Sequence, residues 1–235
     1  MTAKVAGSGT SPDPALEHGG HPTIRPRDAA SLILIDRSAS VPRVLMGRRA
    51  RAHAFMPGVY VFPGGRRDPG DSRKSVSAPL CPEVLDRLAI RTPKRFTPMT
   101  ARGLAIAAAR EMEEEVSLSL TPRSEKEAFC PDLSKLRYVA RAITPPGQNR
   151  RFDTRFFACF TDEIEADTAL HQESSELLDL TWLPLDDFGD LPLAYITRVI
   201  LDDVNAALAA DTSLPFDAAI PFYHFRNGRQ IRDTI

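Results

Sequence analysis

The sequence predicts an α/β fold, and three observations carry that reading. Short apolar runs recur between turn residues, the segment after Thr97-Pro98 is a long Ala-rich helix former, and an amphipathic helix pattern stands near the C-terminus. Ala29 to Asp36, Arg43 to Gly47 and Val59 to Phe62 are read as successive strands. Phe62-Pro63-Gly64-Gly65 closes the third, and a loop containing Pro69-Gly70 follows. Residues 72–96 mix Pro, Ser and charge, with Pro82 to Ala89 a candidate short helix. Thr97 as N-cap and Pro98 at the first helical position open a helix that runs to Val116. Arg137 to Ile143, Thr154 to Phe160 and Leu177 to Leu183 read as further strands, on their content of Tyr, Val and Phe. From Leu193 to Ala209, the residues Leu193, Ile196, Val199, Ile200, Val204 and Leu208 recur at helical spacing and predict a helix packed on a core. Arg226-Asn227-Gly228-Arg229 is a tight-turn signal between two short extended pieces.

Composition narrows the function classes. With 235 residues, 43% hydrophobic and 26% charged, the chain can bury a core, so disorder throughout is excluded. Lys plus Arg is 30 against 31 Asp plus Glu, which gives no global attraction to nucleic acid. No apolar run approaches the roughly 20 residues of a membrane helix. Residues 1–24, rich in Gly, Pro, Ser and His, are expected to be a flexible leader without a secretory h-region, which leaves a cytoplasmic location as the expectation. The folded domain is then expected over 25–235. Cys81, Cys130 and Cys159 have no C-x-x-C spacing and read as reduced thiols.

The most informative segment is Arg110-Glu111-Met112-Glu113-Glu114-Glu115-Val116. At about 100° per residue, Glu111, Glu114 and Glu115 share one helical face, while Glu113 points away and reads as a solvated bystander. Leu104, Ala108, Met112 and Val116 form an i, i+4 row suited to burial against a sheet. Like charges at this spacing are mutually destabilising, and a hard divalent cation that prefers carboxylate oxygens would compensate them. On charge pattern alone an acidic run on a helix is usually an ordinary solvated face.

The turn Phe62-Pro63-Gly64-Gly65-Arg66-Arg67-Asp68-Pro69-Gly70-Asp71, taken with this helix, resembles the signature of the Nudix hydrolases, G-x5-E-x7-R-E-U-x-E-E-x-G-U with U apolar. Gly65 takes the first position, Asp71 the first acidic one, Arg110-Glu111-Met112 the R-E-U, Glu114-Glu115 the E-E and Leu118 the last. Asp71 replaces Glu and Ser117 replaces Gly. Between Asp71 and Arg110 lie 38 residues where the signature has seven, an insertion of 31 that loop-closure entropy tolerates. The stretch Phe55 to Gly65, the split motif, Arg151 to Phe157 and Phe222 to Arg229 are similar to the Nudix relatives that include the peroxisomal coenzyme A diphosphatase of animals.

This resemblance implies a Nudix-type α/β/α sandwich, a mixed β-sheet between the two helices with the insertion at about 72–96. It implies hydrolysis of a nucleoside diphosphate linked to another moiety, with Mg²⁺ or Mn²⁺ held by Glu111, Glu114 and Glu115 and by the backbone of Gly64-Gly65, and with Arg110 orienting the carboxylates. Coenzyme A or acyl-coenzyme A is the favoured substrate. ADP-ribose, NADH or a capped nucleotide is the alternative within the class, and a non-catalytic nucleotide sensor is the alternative outside it. An upstream coenzyme A motif matches at Gly58 but has Phe55 where it calls for Arg.

Further candidates come from charge near these segments. Glu173 and Glu176 are candidates for a distal base or ligand, or else exposed loop acids. Arg48, Arg49 and Arg51 could meet substrate phosphates or form a solvated loop. Arg151 and Arg155 flank Asp153-Thr154 on the strand expected at the site. His53 and His171 sit in no recognisable triad, and G-x-S-x-G, P-loop and G-x-G-x-x-G patterns are missing from the sequence. The partner expected is a small nucleotide, with neither nucleic acid nor membrane, and the insertion's length raises a homodimer contact.

Overall fold

A computed structural model describes residues 24–51, 56–124, 129–165 and 167–235. Residues 1–23 of the expected leader lie outside them, as do His53 and Phe55. Nine strands, β1 (Arg27–Asp36), β2 (Arg43–Arg49), β3 (Tyr60–Val61), β4 (Gly64–Arg66), β5 (Arg137–Ile143), β6 (Phe152–Phe160), β7 (Leu177–Pro184), β8 (Pro221–Arg226) and β9 (Arg229–Thr234), form one mixed sheet. Among the described residues three α-helices accompany it: α1 (Pro82–Ala89), α2 (Pro98–Val116) and α3 (Tyr195–Ala210).

The sheet order is β3-β2-β1-β6-β5-β8-β9, with β1 parallel to β6 and β5 parallel to β8. Its centre forks. β1 pairs with β2 only at Ile35↔Val44 and Asp36↔Arg43, while its other half, Ala29 to Ser31, pairs with β4 instead. The chain from Tyr60 to Arg66 therefore fills the gap where β1 and β2 part. The sequence reading made Gly64-Gly65 a turn; it is the start of a short strand, because the widening fork leaves the edge of β1 open to pairing.

Helices cover both faces of the sheet, as expected for an α/β/α sandwich. Leu32, Leu34, Phe157 and Cys159 pack with Leu104, Ala108, Met112 and Val116 of α2. Ile33, Ile35, Phe156 and Phe160 pack with Ile200, Leu201, Val204 and Leu208 of α3. The period-2 alternation of β1 and β6 thus feeds two cores at once. Within the insertion, α1 turns Val84 and Leu88 into the α2 core.

Thr97 caps α2 as predicted: its hydroxyl accepts from Thr100 N–H at 3.2 Å, and the reciprocal bond is present. α3 begins two residues later than predicted. Tyr60 N–H donates to Pro192 O at 2.9 Å and pairs with Leu193, so that backbone is committed to β3. β6 begins at Phe152 rather than Thr154 because Arg27 and Asp28 of β1 already pair with Phe152 and Asp153.

Candidate active site

The C-terminal half of α2, strand β4, the last residue of the loop before β7 and the start of α3 surround a cavity of about 460 Å³. Glu111, Glu114, Glu115 and Glu176 line it together with Gly64, Gly65 and Arg49. Phe62, Phe152, Phe156, Tyr223 and Phe225 give the same cavity an aromatic part of its lining.

Arg110 organises the acidic side. Its Nε donates to Asp71 Oδ1 at 3.1 Å, and its Nη1 donates to Glu111 Oε1 at 2.9 Å and to Glu114 Oε2 at 2.8 Å. Nη2 reaches Arg66 O at 3.1 Å, tying α2 to β4. Asp71 is 1% exposed and also accepts from Asp68 N–H at 2.8 Å. Burial pulls the pKa of Arg110 down, but Asp71, Glu111 and Glu114 more than offset it, so the guanidinium stays charged.

Glu115 Oε2 accepts from Gly64 N–H at 2.8 Å. Burial, reinforced by Glu111 and Glu176 and opposed by Gly64 N–H and Arg49, pushes its pKa up to about 8. Glu111 is likewise raised, chiefly by burial, with Arg110 opposing. Burial lowers Arg49, against the pull of Glu115, Glu176 and Glu111. Two glycines make this packing possible. A Cβ on Gly65 would stand 2.2 Å from Glu111 Oε1, and one on Gly64 would meet Ser31 Oγ at 2.3 Å and Ala30 O at 2.6 Å.

Among the described residues, no three His, Cys, Asp or Glu side chains already converge as an ion-binding set. Arg110 and Gly64 N–H hold the three glutamates. The donor chemistry still fits a hard divalent cation: carboxylate oxygens dominate the wall, and two of the carboxylates are buried beside one another at raised pKa, the condition a bound cation relieves.

The other sequence candidates divide. Arg49 and Glu176 reach the cavity; Arg48, Arg51, Glu173, Arg151 and Arg155 are not among the described residues that line it. Arg48 pairs with Asp179 at 2.5 Å. Arg51 and Glu173 are exposed. Arg151 donates to Thr144 O at 3.0 Å and Ile24 O at 2.8 Å, closing a loop. Arg155 is fully buried and binds Asp153 O at 2.8 Å. Alternation along β6 explains the last two: Phe152, Thr154 and Phe156 face the cavity, so Arg151 and Arg155 face away. Glu113 is not wholly solvated, since Ser119 Oγ donates to it at 2.5 Å. His171 Nδ1 lies 2.9 Å from Thr168 O, outside the cavity wall. Sequence reasoning missed Gln148, Arg150, Tyr195 and Gln230 of the wall. Of these only Arg150, next to Arg151, carried a charge signal.

The chain is 27% identical to a crystallised Nudix hydrolase from Alicyclobacillus acidocaldarius, over 79% of this chain and 92% of that one, with a TM-score of 0.59. A Nudix hydrolase from M. smegmatis, RenU, is 17% identical over 79% and 87%, with a TM-score of 0.46. The Nudix domain of Shewanella oneidensis NrtR, solved with ADP-ribose, is 14% identical over 79% and 90%, with a TM-score of 0.48. No protein-family model matches the chain, and no curated protein matches it. The fold is that of the Nudix hydrolases, and the likeness to the Alicyclobacillus enzyme makes the chain a hydrolase of the Nudix superfamily. Among the described residues no helix is long and apolar enough to cross a membrane.

Proposed function

We propose that the protein hydrolyses the diphosphate bond of a nucleoside diphosphate derivative with Mg²⁺ or Mn²⁺ bound by Glu111, Glu114, Glu115 and the Gly64-Gly65 backbone. The observation that carries this reading is the convergence of those three glutamates and Gly64-Gly65 on one cavity. The pair between Asp71 and Arg110, bridging 39 positions, supports the interrupted signature. Coenzyme A or an acyl-coenzyme A is the favoured substrate, supported by the sequence resemblance and by aromatic lining residues suited to an apolar arm in the same cavity as the carboxylates. ADP-ribose, NADH or a capped nucleotide is the alternative.

The chemistry supplied by the bound cation is neutralisation of diphosphate charge and activation of a water. Arg110 fixes Glu111 and Glu114 through one nitrogen, so both carboxylates are oriented before substrate arrives. Arg49, cationic and largely buried beside Glu115, is placed to bind a phosphate oxygen. Glu176, rather than Glu173, takes the water's proton on its carboxylate, because it alone of the two lines the cavity.

Hydrolysis of coenzyme A, ADP-ribose, NADH and a dinucleoside polyphosphate, with each metal and with Glu114→Gln as control, tests this. Metal-dependent cleavage of coenzyme A that vanishes in the control is expected. Preference for another substrate removes coenzyme A, and unchanged activity in both Glu114→Gln and Glu115→Gln removes the metal assignment. We also propose a homodimer contact through the insertion, to be checked by light scattering before and after its deletion.

A further inference from the structure

A second cavity, of about 210 Å³, lies at the opposite end of α2. Thr100 lines it and Glu114 lines the first, which sets the two apart by about 20 Å along the helix at 1.5 Å per residue. Its walls carry Arg25, Arg67 and Arg95 against Asp28 and Asp153. Both carboxylates are already engaged. Arg141 holds Asp153 with two bonds of 2.8 Å, and Arg155 reaches Asp153 at 3.1 Å and Asp28 at 3.3 Å. Arg67 stands 3.8 Å from Asp28. Three guanidinium groups therefore share two carboxylates, and Arg25 and Arg95 add two more positive charges to the same walls.

The excess is visible as unmet hydrogen-bonding capacity. Arg67 Nε, and Nε and Nη2 of Arg155, are buried with no hydrogen-bond partner among the described residues. Arg155 is 0% exposed, and burial lowers its pKa against the pull of Asp153. Arg155 lies behind the pocket wall, its guanidinium carbon 5.3 Å from the centre of the Phe96 ring, whereas Arg67 is part of that wall. A buried charged donor without an acceptor is rare and costly, so Arg67 Nε calls for an acceptor the protein does not itself provide. The first turn of α2 adds positive potential to the same place. Gly103 keeps Arg67 there: a Cβ at that position would stand 3.1 Å from Arg67 Cδ.

We propose that this pocket is a binding site for a small phosphate-type oxyanion, held between Arg25, Arg67 and Arg95. Its volume is below the roughly 300–1,000 Å³ of sites for drug-sized ligands, so it suits a phosphate group rather than a nucleotide. Guanidinium forks match phosphate oxygens, and each such contact is a charge-assisted hydrogen bond. The site does not depend on the reading of the carboxylate cavity.

The test is calorimetric titration of the full-length chain with inorganic phosphate, with chelator present so that no cation draws phosphate to the glutamates. Thermal melting against chloride of matched ionic strength accompanies it. The expected result is saturable binding, a melting point raised several degrees above the chloride control, and about tenfold weaker binding in Arg25→Gln and in Arg95→Gln. Both residues are exposed at the mouth, and unchanged circular dichroism establishes that the variants fold. Glycerol phosphate binding more tightly than inorganic phosphate identifies a phosphomonoester as the ligand; the reverse order identifies the free anion; either supports the site. Equal stabilisation by chloride, or phosphate binding undiminished in both variants, overturns it.

Discussion

The two ends of α2 concentrate charge of opposite sign, each against the direction the helix dipole favours. At the C-terminal end, where the dipole is negative and cations are stabilised, stand Glu111, Glu114 and Glu115; around the N-terminal end, where anions are stabilised, stand Arg25, Arg67, Arg95 and Arg155. A helix selected for stability alone would carry the reverse. Each end compensates only in part: Arg110 and Gly64 N–H hold the glutamates, while Asp28 and Asp153 hold the arginines. The glutamate end borders a large cavity that aromatic residues also line, whereas the arginine end borders a small pocket with the buried Nε of Arg67 unfilled. Charge kept against the local field marks a place where binding outweighs stability.

Variants at the glutamate end give the largest expected effect. Glu115→Gln and Glu114→Gln are expected to lower kcat by about 10²–10³-fold, the scale of removing one electrostatic stabiliser of a transition state. In metal-free protein above pH 8, where Glu115 is ionised, Glu115→Gln should raise the melting temperature, because it removes a charge held in a desolvated place and retains an oxygen for Gly64 N–H. A loss of both activity and stability would instead make Glu115 a structural residue.

Next comes the pair that joins the interrupted motif. Asp71→Asn leaves the buried Arg110 guanidinium short of its counter-charge and is expected to destabilise the fold by about 3 kcal/mol in chemical denaturation. An effect within a few tenths would show that the two halves of the motif cohere without it.

The pH dependence separates the glutamate end from the rest. Glu115 releases its proton near 4.5 when unfolded but near 8 when folded. Between those values the unfolded chain binds fewer protons, so stability falls as pH rises. Metal-free protein should therefore melt at a lower temperature at pH 8 than at pH 5.5, with a shallower slope in Glu115→Gln and with stability recovered on adding Mg²⁺. A flat profile in the wild type would deny that Glu115 is held protonated by burial.

The smallest expected effect lies at the end of α2 itself. Ser117 ends the helix in the left-handed region at φ 60°, where glycine carries no Cβ penalty. Ser117→Gly should stabilise by about 0.5–1 kcal/mol with activity unchanged, read from the denaturation midpoint.

Much of this architecture is local enough to be read from the chain. The bounds of α1 and α2, the Thr97 cap and the β8–β9 turn follow from short-range propensity and capping, which depend on residues a few positions apart. The common face of Glu111, Glu114 and Glu115 follows from helical period in the same way. Other features depended on distant segments. Nothing within β6 says which of its two faces meets the cavity, and a period of two turns that choice into the difference between Phe152 lining a site and Arg155 buried behind another. Tyr60 to Arg66 became two short strands only because β1 and β2 diverge. Asp71 meets Arg110 because the insertion folds back on α2, and the arginine pocket exists only where β1, β6 and that insertion come together. Periodicity reports on a residue's neighbours along the chain; a charge network assembled from five separate segments is decided by packing.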